Sequence, residues 1–211
     1  AVSIVPVDDG ATVYLQDVTS RRRQERSLER LRAERARTAV IDRVLSEVLA
    51  ALVSASSRGE IAETICRELG ETDLYEFAWV GERELGSETL VIRAAEGETG
   101  DTFAAVRESL EESATTVEER AVETGRLQEV QPLADDPQVP EAVRMAGFAD
   151  GIQSVLAIPL VYGSNVHGVV GVYAGRKDGF SDRERTSFET FGDIAGFAIT
   201  AARNRNLLLS D

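Results

Sequence analysis

Two apolar runs separated by a short polar turn dominate the C-terminal half of this chain. They flank Gly163-Ser164-Asn165, a turn composition that predicts two adjacent strands. The first run contains Pro159, which central strands avoid because proline cannot donate to a ladder of hydrogen bonds. After the second run, Ser181 and Glu184 have the spacing of a capping box, so a helix is predicted from about residue 182 to residue 209. The order strand, turn, strand, helix is therefore expected at this end of the chain.

Residues 20–56 contain neither glycine nor proline and predict one long helix. Its first half is highly charged, and Leu28 and Leu31 are the only large apolar side chains there. In its second half, apolar residues cover roughly 220° of the helix surface, which is wider than the stripe of a helix lying on one core. We therefore expect two buried contacts, one with the helix's own domain and one with a second subunit. The candidate dimer residues are Leu28, Leu31, Val40, Val44 and Val48; alternatively, the three valines contact another helix of the same chain.

Weaker patterns predict the elements between these segments. Ser57 and Glu60 form a second capping box at the start of a helix. The predicted elements are a helix over 58–69 ending near Gly70, strands over 75–80 and 89–95, a helix within 113–124 ending at Gly125, a strand over 127–130, and a short helix over 140–145 stopped by Gly147. The resulting order is helix, helix, strand, strand, helix, strand, short helix, strand, strand, helix.

Composition limits the partners that this segment can have. The formal net charge is −14, and Lys177 is the only lysine. This balance argues against binding to nucleic acid or to an anionic membrane, and it is typical of proteins from a salt-rich cytoplasm. Alternatively, the chain is an ordinary acidic protein from a GC-rich genome. The single cysteine excludes a disulfide framework, and no signal peptide or membrane span is evident, so a soluble cytoplasmic protein is expected.

Few residues of the chain are suited to catalysis or metal binding. His167, the only histidine, follows a turn, where a solvated side chain is expected rather than the base of a nucleophile. Cys66 lies on the inward face of a predicted helix, which favours a buried structural thiol over a redox site. Runs of carboxylates are interpreted as solvated faces; they comprise Glu108, Glu111, Glu112, Glu118, Glu119 and Glu123. The sequence thus identifies no catalytic residue, no metal ligand and no cofactor.

An aromatic cluster is the best candidate for a ligand pocket. In the strand over 75–80, Tyr75, Phe77 and Trp79 alternate with smaller residues, so they are expected on one face. Met145 and Phe148, in the segment over 138–148, are expected to cover this face and close a cavity. Alternatively, the rings simply fill the core, and no motif identifies a ligand.

The C-terminal region resembles the second half of a GAF domain. The resemblance rests on Ile158-Pro159-Leu160, on Gly168-Val169-Val170-Gly171-Val172, and on the helix start Phe180-Ser181-Asp182-Arg183-Glu184. It implies an α+β fold of the GAF-like (profilin/PAS) type. In this fold an antiparallel sheet carries the helices of both chain ends bundled on one face and middle helices on the other. GAF domains sense small molecules, and few of them are enzymes.

Other segments extend the resemblance to a longer architecture. Ala11–Gln16 followed by Asp17-Val18-Thr19 resembles the last strand and exit motif of a PAS domain. Together with the charged helix, the segment Tyr75–Glu82 and the final Asn204–Leu209, it is similar to bacterio-opsin activator proteins of haloarchaea. The implied domains are the tail of a PAS domain over 1–19, a signalling helix over 20–56, a GAF domain over 57–203 and the start of a connector over 204–211.

This resemblance implies a non-enzymatic regulatory module. A small-molecule or PAS signal would pass through it to a C-terminal DNA-binding domain. The expected partners are a second copy, forming a homodimer, and an unidentified small molecule. Nucleic acid would be contacted only by a helix-turn-helix beyond Asp211, and no membrane partner is expected. The alternatives are a GAF module of a sensor histidine kinase and a ligand-free dimerisation scaffold.

Overall fold

The computed structural model describes residues 2–7, 10–15, 19–54, 57–83, 89–97, 100–112 and 115–208; within these ranges, side chains are described from residue 19 to residue 202, except for 52–54. The chain divides into two compact units, Ala1–Arg37 and Thr38–Asp211.

The first unit contains a hairpin and the beginning of a long helix. Strands β1 (Val2–Val7) and β2 (Gly10–Leu15) pair antiparallel. Helix α1 (Thr19–Ser54) is continuous, as its lack of glycine and proline predicts. It begins in this unit and ends in the second. The Asp17-Val18 part of the predicted exit motif lies outside the described residues.

The second unit is built on a five-stranded antiparallel sheet of order β4-β3-β7-β6-β5. Its elements are, in chain order, α2 (Arg58–Gly70), β3 (Phe77–Arg83), β4 (Leu90–Gly97), α3 (Gly100–Glu111), α4 (Val117–Thr124), β5 (Gln128–Val130), α5 (Glu141–Asp150), β6 (Ser154–Tyr162), β7 (Asn165–Ala174) and α6 (Asp182–Leu208). The predicted α+β fold with an antiparallel sheet is confirmed. Pro159 lies beyond the three residues of β6 that pair with β5, which explains how this strand contains a proline.

Each face of the sheet carries its own apolar core, because successive strand residues point to opposite sides. The terminal-helix core lies on the face covered by α1, α2 and α6; it includes Val44, Ile65, Val80, Val172 and Phe191. The middle-helix core lies on the face covered by α3, α4 and α5; it includes Phe77, Trp79, Val106, Val122, Val143 and Tyr173. The terminal helices and the middle helices therefore cover opposite faces of the sheet, as expected.

The second half of α1 buries a narrow stripe against its own domain. Ile41, Val44 and Val48 are fully buried in the terminal-helix core, at the spacing of one helix face. Val44 and Val48 therefore contact their own chain, which corrects their assignment to a dimer contact. Val40 is only partly buried. Leu28 and Leu31, in the first unit, are 53% and 52% exposed.

Two helices differ from the prediction. Helix α3 was not predicted. The helix expected over 140–145 is α5, which continues through Gly147 and ends at Gly151, where φ is +78°. Gly147 is required for close packing rather than for termination, since a Cβ atom there would lie 2.7 Å from Cδ2 of Leu133.

Helix α6 lies directly on the backbone of β6. A Cβ atom on Gly192 would lie 2.5 Å from the carbonyl oxygen of Pro159, and one on Gly196 would overlap the backbone of Val161. The predicted capping box begins this helix: the Ser181 N–H donates to Glu184 Oε2 at 3.0 Å, and the Glu184 N–H donates to Ser181 Oγ at 3.2 Å.

Candidate functional site

The structure divides the predicted aromatic pocket between the two faces of the sheet. Phe77 and Trp79 are fully buried in the middle-helix core, as expected for one face of β3. Tyr75 instead packs with Phe180 and Phe188 in the terminal-helix core. The expectation that Tyr75 shares their face is wrong, because β3 begins at Phe77 and strand alternation does not extend back to residue 75.

Met145 and Phe148 do not cover these rings. Their side chains are 67% and 72% exposed on the outer face of α5, whereas Val143 and Gly147 form the buried face of that helix. Because helix α5 continues through Gly147, its 3.6-residue period directs residues 145 and 148 outward. The predicted cover of the pocket is therefore corrected as well.

A buried acid occupies the middle-helix core instead. Glu118 in the first turn of α4 is fully buried, and the hydroxyl of Tyr173 on β7 donates a 2.7 Å hydrogen bond to its Oε1. The Tyr173 ring stacks on Phe77, with 4.3 Å between ring centroids. The interpretation of Glu118 as a solvated residue is wrong. The sequence does contain an indication that Glu118 is buried. Ala121 and Val122 lie three and four residues further on, and these apolar side chains mark the same face of α4 as the buried one.

The register of two strands brings Trp79 to the same place. Trp79 on β3 lies opposite Gly171 on β7. A Cβ atom on Gly171 would lie 2.5 Å from Nε1 of Trp79 and 2.7 Å from Oε1 of Glu118. The missing side chain of Gly171 therefore makes room for the indole N–H and the carboxyl group together. We call Trp79, Glu118 and Tyr173 the buried polar site.

Burial determines the electrostatics of this site. It raises the pKa of Glu118, and the hydrogen bond from Tyr173 opposes that rise only in part. Burial and the neighbouring carboxyl group hold the pKa of Tyr173 well above its usual value, so the phenol remains a hydrogen-bond donor. The indole N–H of Trp79 faces the carboxyl group and lowers its pKa, but does not reach hydrogen-bond geometry. Trp79 Nε1 and Glu118 Oε2 thus have no hydrogen-bond partner among the described residues.

Two clefts open on the middle-helix core beside β4. One, of about 210 Å³, is lined by Arg83, Thr89, Leu90, Thr115, Glu119, Val122 and Glu123. The other, of about 300 Å³, lies between β4 and α3 and is lined by Thr89, Leu90, Val91, Ile92, Arg107, Leu110 and Glu111. Leu90 borders both clefts; with Val122 in the first cleft and Leu110 in the second, it belongs to the middle-helix core, so side chains of that core form part of each cleft wall.

Cys66 lies on the other face of the sheet. It belongs to α2 and is buried in the terminal-helix core, where burial raises the pKa of its thiol to about 12. The chain has no other cysteine.

Among the described residues, His, Cys, Asp and Glu side chains do not form a group of three or more that could hold a metal ion. Within the same ranges, every helix is too short or too polar to cross a lipid bilayer.

Residues 55–200, more than half of the chain, match the family described as GAF domain. A protein of Haloferax volcanii, described as "Putative transcriptional regulator", is 30% identical over 210 residues; the match covers 93% of this chain and 33% of that protein. The chain therefore spans about a third of the length of this relative.

Solved structures share the fold at low sequence identity. The free methionine-R-sulfoxide reductase of Neisseria meningitidis, in complex with its substrate, has a TM-score of 0.63 at 13% identity, covering 80% of this chain and 93% of that chain. The nlh2 GAF domain of A. aeolicus, in an inactive state, has a TM-score of 0.57 at 14% identity, covering 78% and 98%. At these identities the likeness establishes the fold alone.

Proposed function

This chain belongs to the GAF-domain family, and we propose that it is a non-enzymatic sensory module of a transcriptional regulator. In this proposal a small molecule bound at the middle-helix core, or a signal from an upstream PAS domain, changes the position of α6. The helix passes that change to a C-terminal DNA-binding domain. The description of the Haloferax relative and the family match support a regulatory role.

The buried polar site is the observation that carries the sensory part of the proposal. Burying a carboxyl group and an indole N–H without full hydrogen bonding lowers stability by about 1–3 kcal/mol per group. A core that served packing alone would place apolar side chains here. Buried groups with a strongly perturbed pKa are concentrated at functional sites. Glu118 and Trp79 also lie in the core on which both clefts beside β4 open.

The burial and the raised pKa of the Cys66 thiol support a function without catalysis. The Neisseria neighbour is an enzyme, so the fold itself is compatible with chemistry. In this chain the single thiol is buried, has a raised pKa, and lies across the sheet from the buried polar site. Reduction of a sulfoxide by a thiol relay needs a reactive thiolate and a second cysteine to resolve the oxidised one.

The same proposal includes a homodimer formed through α1. Leu28 and Leu31 are half-exposed on a highly charged helix, and Val40 is only partly buried. Leu28 and Leu31, three residues apart on one face of α1, form the proposed contact. Val44 and Val48 are already covered by their own domain, and Val40, nine residues after Leu31, lies on the opposite face of the helix and packs against that domain. An upstream PAS domain ending at β2 is proposed from the sequence resemblance alone.

Native mass spectrometry of the chain produced in Haloferax volcanii tests ligand binding. We expect an additional small-molecule mass on the wild-type protein and a lower occupancy for Glu118→Gln and Trp79→Phe. Tyr162→Phe, a change at an exposed strand end, is the matched control and should retain the wild-type occupancy.

A ligand-free dimerisation scaffold is the alternative, and the complete burial of Phe77 and Trp79 favours it. A dimer with no additional mass on any variant would contradict ligand sensing and support the scaffold. A retained mass that is independent of Glu118 and Trp79 would place the ligand elsewhere and contradict the buried polar site as the sensor.

A further inference from the structure

We infer that Arg176 couples the buried polar site on one face of the sheet to the N-terminus of α6 on the other. This inference rests on the proposed function, since it identifies how a change at Glu118 and Tyr173 would reach α6. It follows from three sets of contacts that join one another between α4 and α6.

The first contact connects Arg176 to the capping box of α6. Both terminal nitrogens of Arg176 donate to Oε1 of Glu184 at 3.1 Å, while Oε2 of Glu184 accepts the Ser181 N–H at 3.0 Å. Glu184 is fully buried, and Arg176 is 13% exposed. One carboxylate therefore both caps α6 and binds the segment that follows β7. Loss of either bond changes the start of the helix.

The second contact holds the same guanidinium against two aromatic rings. The Arg176 guanidinium carbon lies 4.9 Å from the ring centroid of Phe180 and 5.6 Å from that of Tyr75. The rings of Tyr75 and Phe180 are themselves stacked, with 6.2 Å between centroids. Arg176 therefore contacts both Tyr75, which lies just before β3, and Phe180, which lies just before α6.

The third contact returns to the buried polar site through β3. The N–H of Glu76, next to Tyr75, donates to the carbonyl oxygen of Tyr173 at 2.9 Å. One residue further on, the ring of Phe77 stacks on the ring of Tyr173, whose hydroxyl binds Glu118. The segment Tyr75–Phe77 thus contacts the buried polar site with one end and Arg176 with the other.

A second attachment at the start of α6 provides an internal control. Arg185 binds Glu129 on β5 and donates to the carbonyl oxygen of Phe180 at 2.8 Å. The N–H of Phe180 donates to Oε1 of Glu129 at 3.1 Å. This attachment holds α6 to the edge strand through the main chain of Phe180. It shares Phe180 with the Arg176 contacts, because the ring of Phe180 stacks on Tyr75, but its hydrogen bonds reach neither Tyr173 nor Phe77. It stabilises the same helix end without a contact to the buried polar site.

A double-mutant cycle read by hydrogen exchange tests the coupling, because spatial contact alone does not demonstrate it. The 211-residue chain is compared with Tyr173→Phe, Arg176→Lys and the double variant, and exchange is measured in peptides covering the first turns of α6. Lysine keeps the charge of Arg176 but loses the paired hydrogen bonds and the planar stacking. Peptides from α2 serve as the reference for any change in overall stability. Arg185→Lys, alone and with Tyr173→Phe, applies the same substitution at the second attachment.

We expect Tyr173→Phe to accelerate exchange at the start of α6 by about threefold or more when Arg176 is present. The acceleration should disappear when Arg176 is lysine and persist when Arg185 is lysine. If Arg176→Lys does not fold, Glu184→Gln replaces it, because glutamine keeps an oxygen that can accept the Ser181 N–H.

Two results would overturn the inference. Equal acceleration in the Arg176→Lys background would show that the two faces communicate by another route, and the proposed sensory function would stand. No acceleration of α6 in any background would show that Tyr173 and α6 are independent. The bound small molecule detected by mass spectrometry would then still decide the proposed function separately.

Discussion

The hydroxyl of Tyr173 donates a 2.7 Å hydrogen bond to Glu118, and both side chains are buried in the middle-helix core. The bond joins β7, in the middle of the sheet, to the first turn of α4. It satisfies one carboxyl oxygen of Glu118 and leaves the other without a partner among the described residues. The buried carboxyl group of Glu118 therefore depends on Tyr173 for this hydrogen bond.

Tyr173→Phe is expected to lower the free energy of unfolding by about 1–3 kcal/mol, because it leaves a buried carboxyl group without its donor. Guanidinium titration in concentrated salt measures the change. Tyr162→Phe is the control: this tyrosine is at the exposed end of β6, and its loss should change stability by less than about 0.5 kcal/mol. Equal effects of the two substitutions would contradict a structural role for the buried hydrogen bond.

Stability should fall with rising pH because of Glu118. Its pKa in the folded protein is above the ordinary value of 4.5, so the folded chain binds more protons than the unfolded chain above that pH. The stabilisation is complete below pH 4.5 and is lost as the pH rises through the raised pKa. Unfolding titrations between pH 4 and 8 measure it as the difference between wild type and Glu118→Gln.

Asp150 changes stability with pH in the direction opposite to Glu118, and it does so equally in the wild type and in Glu118→Gln. Hydrogen bonds from Thr102 lower the pKa of Asp150, so its contribution is lost as pH falls, and it cancels in the difference. A difference between wild type and Glu118→Gln that does not change with pH would contradict a raised pKa of Glu118.

Gly171→Ala is expected to destabilise the protein by about 1–3 kcal/mol, because the new methyl group overlaps the indole of Trp79 and the carboxyl group of Glu118. Since Trp79 is the only tryptophan, its fluorescence reports the displacement directly. Gly59→Ala is the matched control. It lies in the first turn of α2, where the nearest atom to a new Cβ is 3.8 Å away, so alanine should leave stability unchanged or raise it.

Cys66 should be unreactive in the folded protein. With a pKa of about 12 in place of 9.0, the thiolate is about a thousandfold rarer at neutral pH, and burial also blocks access. Ellman's reagent at pH 8 should label the native chain far more slowly than the same chain in guanidinium. Rapid labelling of the native protein would contradict the buried state and reopen a thiol mechanism.

Sedimentation equilibrium at micromolar concentration in concentrated salt tests the proposed dimer. We expect a mass of two chains for the wild type and of one chain for the Leu28→Glu, Leu31→Glu double variant, because two buried charges would replace the apolar contact. Phe148→Glu, on the exposed face of α5, should remain dimeric. A monomeric wild type would contradict signalling through a dimer of α1.

The sequence predicted the elements that are stabilised by contacts between residues close together in the chain. The capping box of Ser181 and Glu184 is formed by hydrogen bonds within four residues, and the structure contains both of them. The spacing of apolar residues also predicted the apolar stripe of α1. It did not predict which of these residues pack against the helix's own domain and which face a second subunit. A helix pattern shows that Val44 and Val48 are buried without showing what covers them.

The candidate site could not be predicted because it depends on the register of distant strands. Trp79 and Gly171 are 92 positions apart and meet only through the pairing of β3 with β7. The buried state of Glu118 follows from the same packing, and its position in a run of acids obscured the apolar residues of α4 that follow it. Tyr75 was misplaced because alternation determines the face only within a strand, and β3 begins two residues later.

The glycines of α6 limit how this helix can move relative to the sheet. Gly192 and Gly196 are one helical turn apart, and each places the helix against the backbone of β6 without an intervening side chain. Two such contacts set the rotation of α6 about its axis and its position along that axis in this structure. Sliding or axial rotation of α6 alone would bring a larger side chain of the helix against the backbone of β6. A tilt of α6 together with β6 would preserve both contacts, and its displacement would grow with distance along the helix.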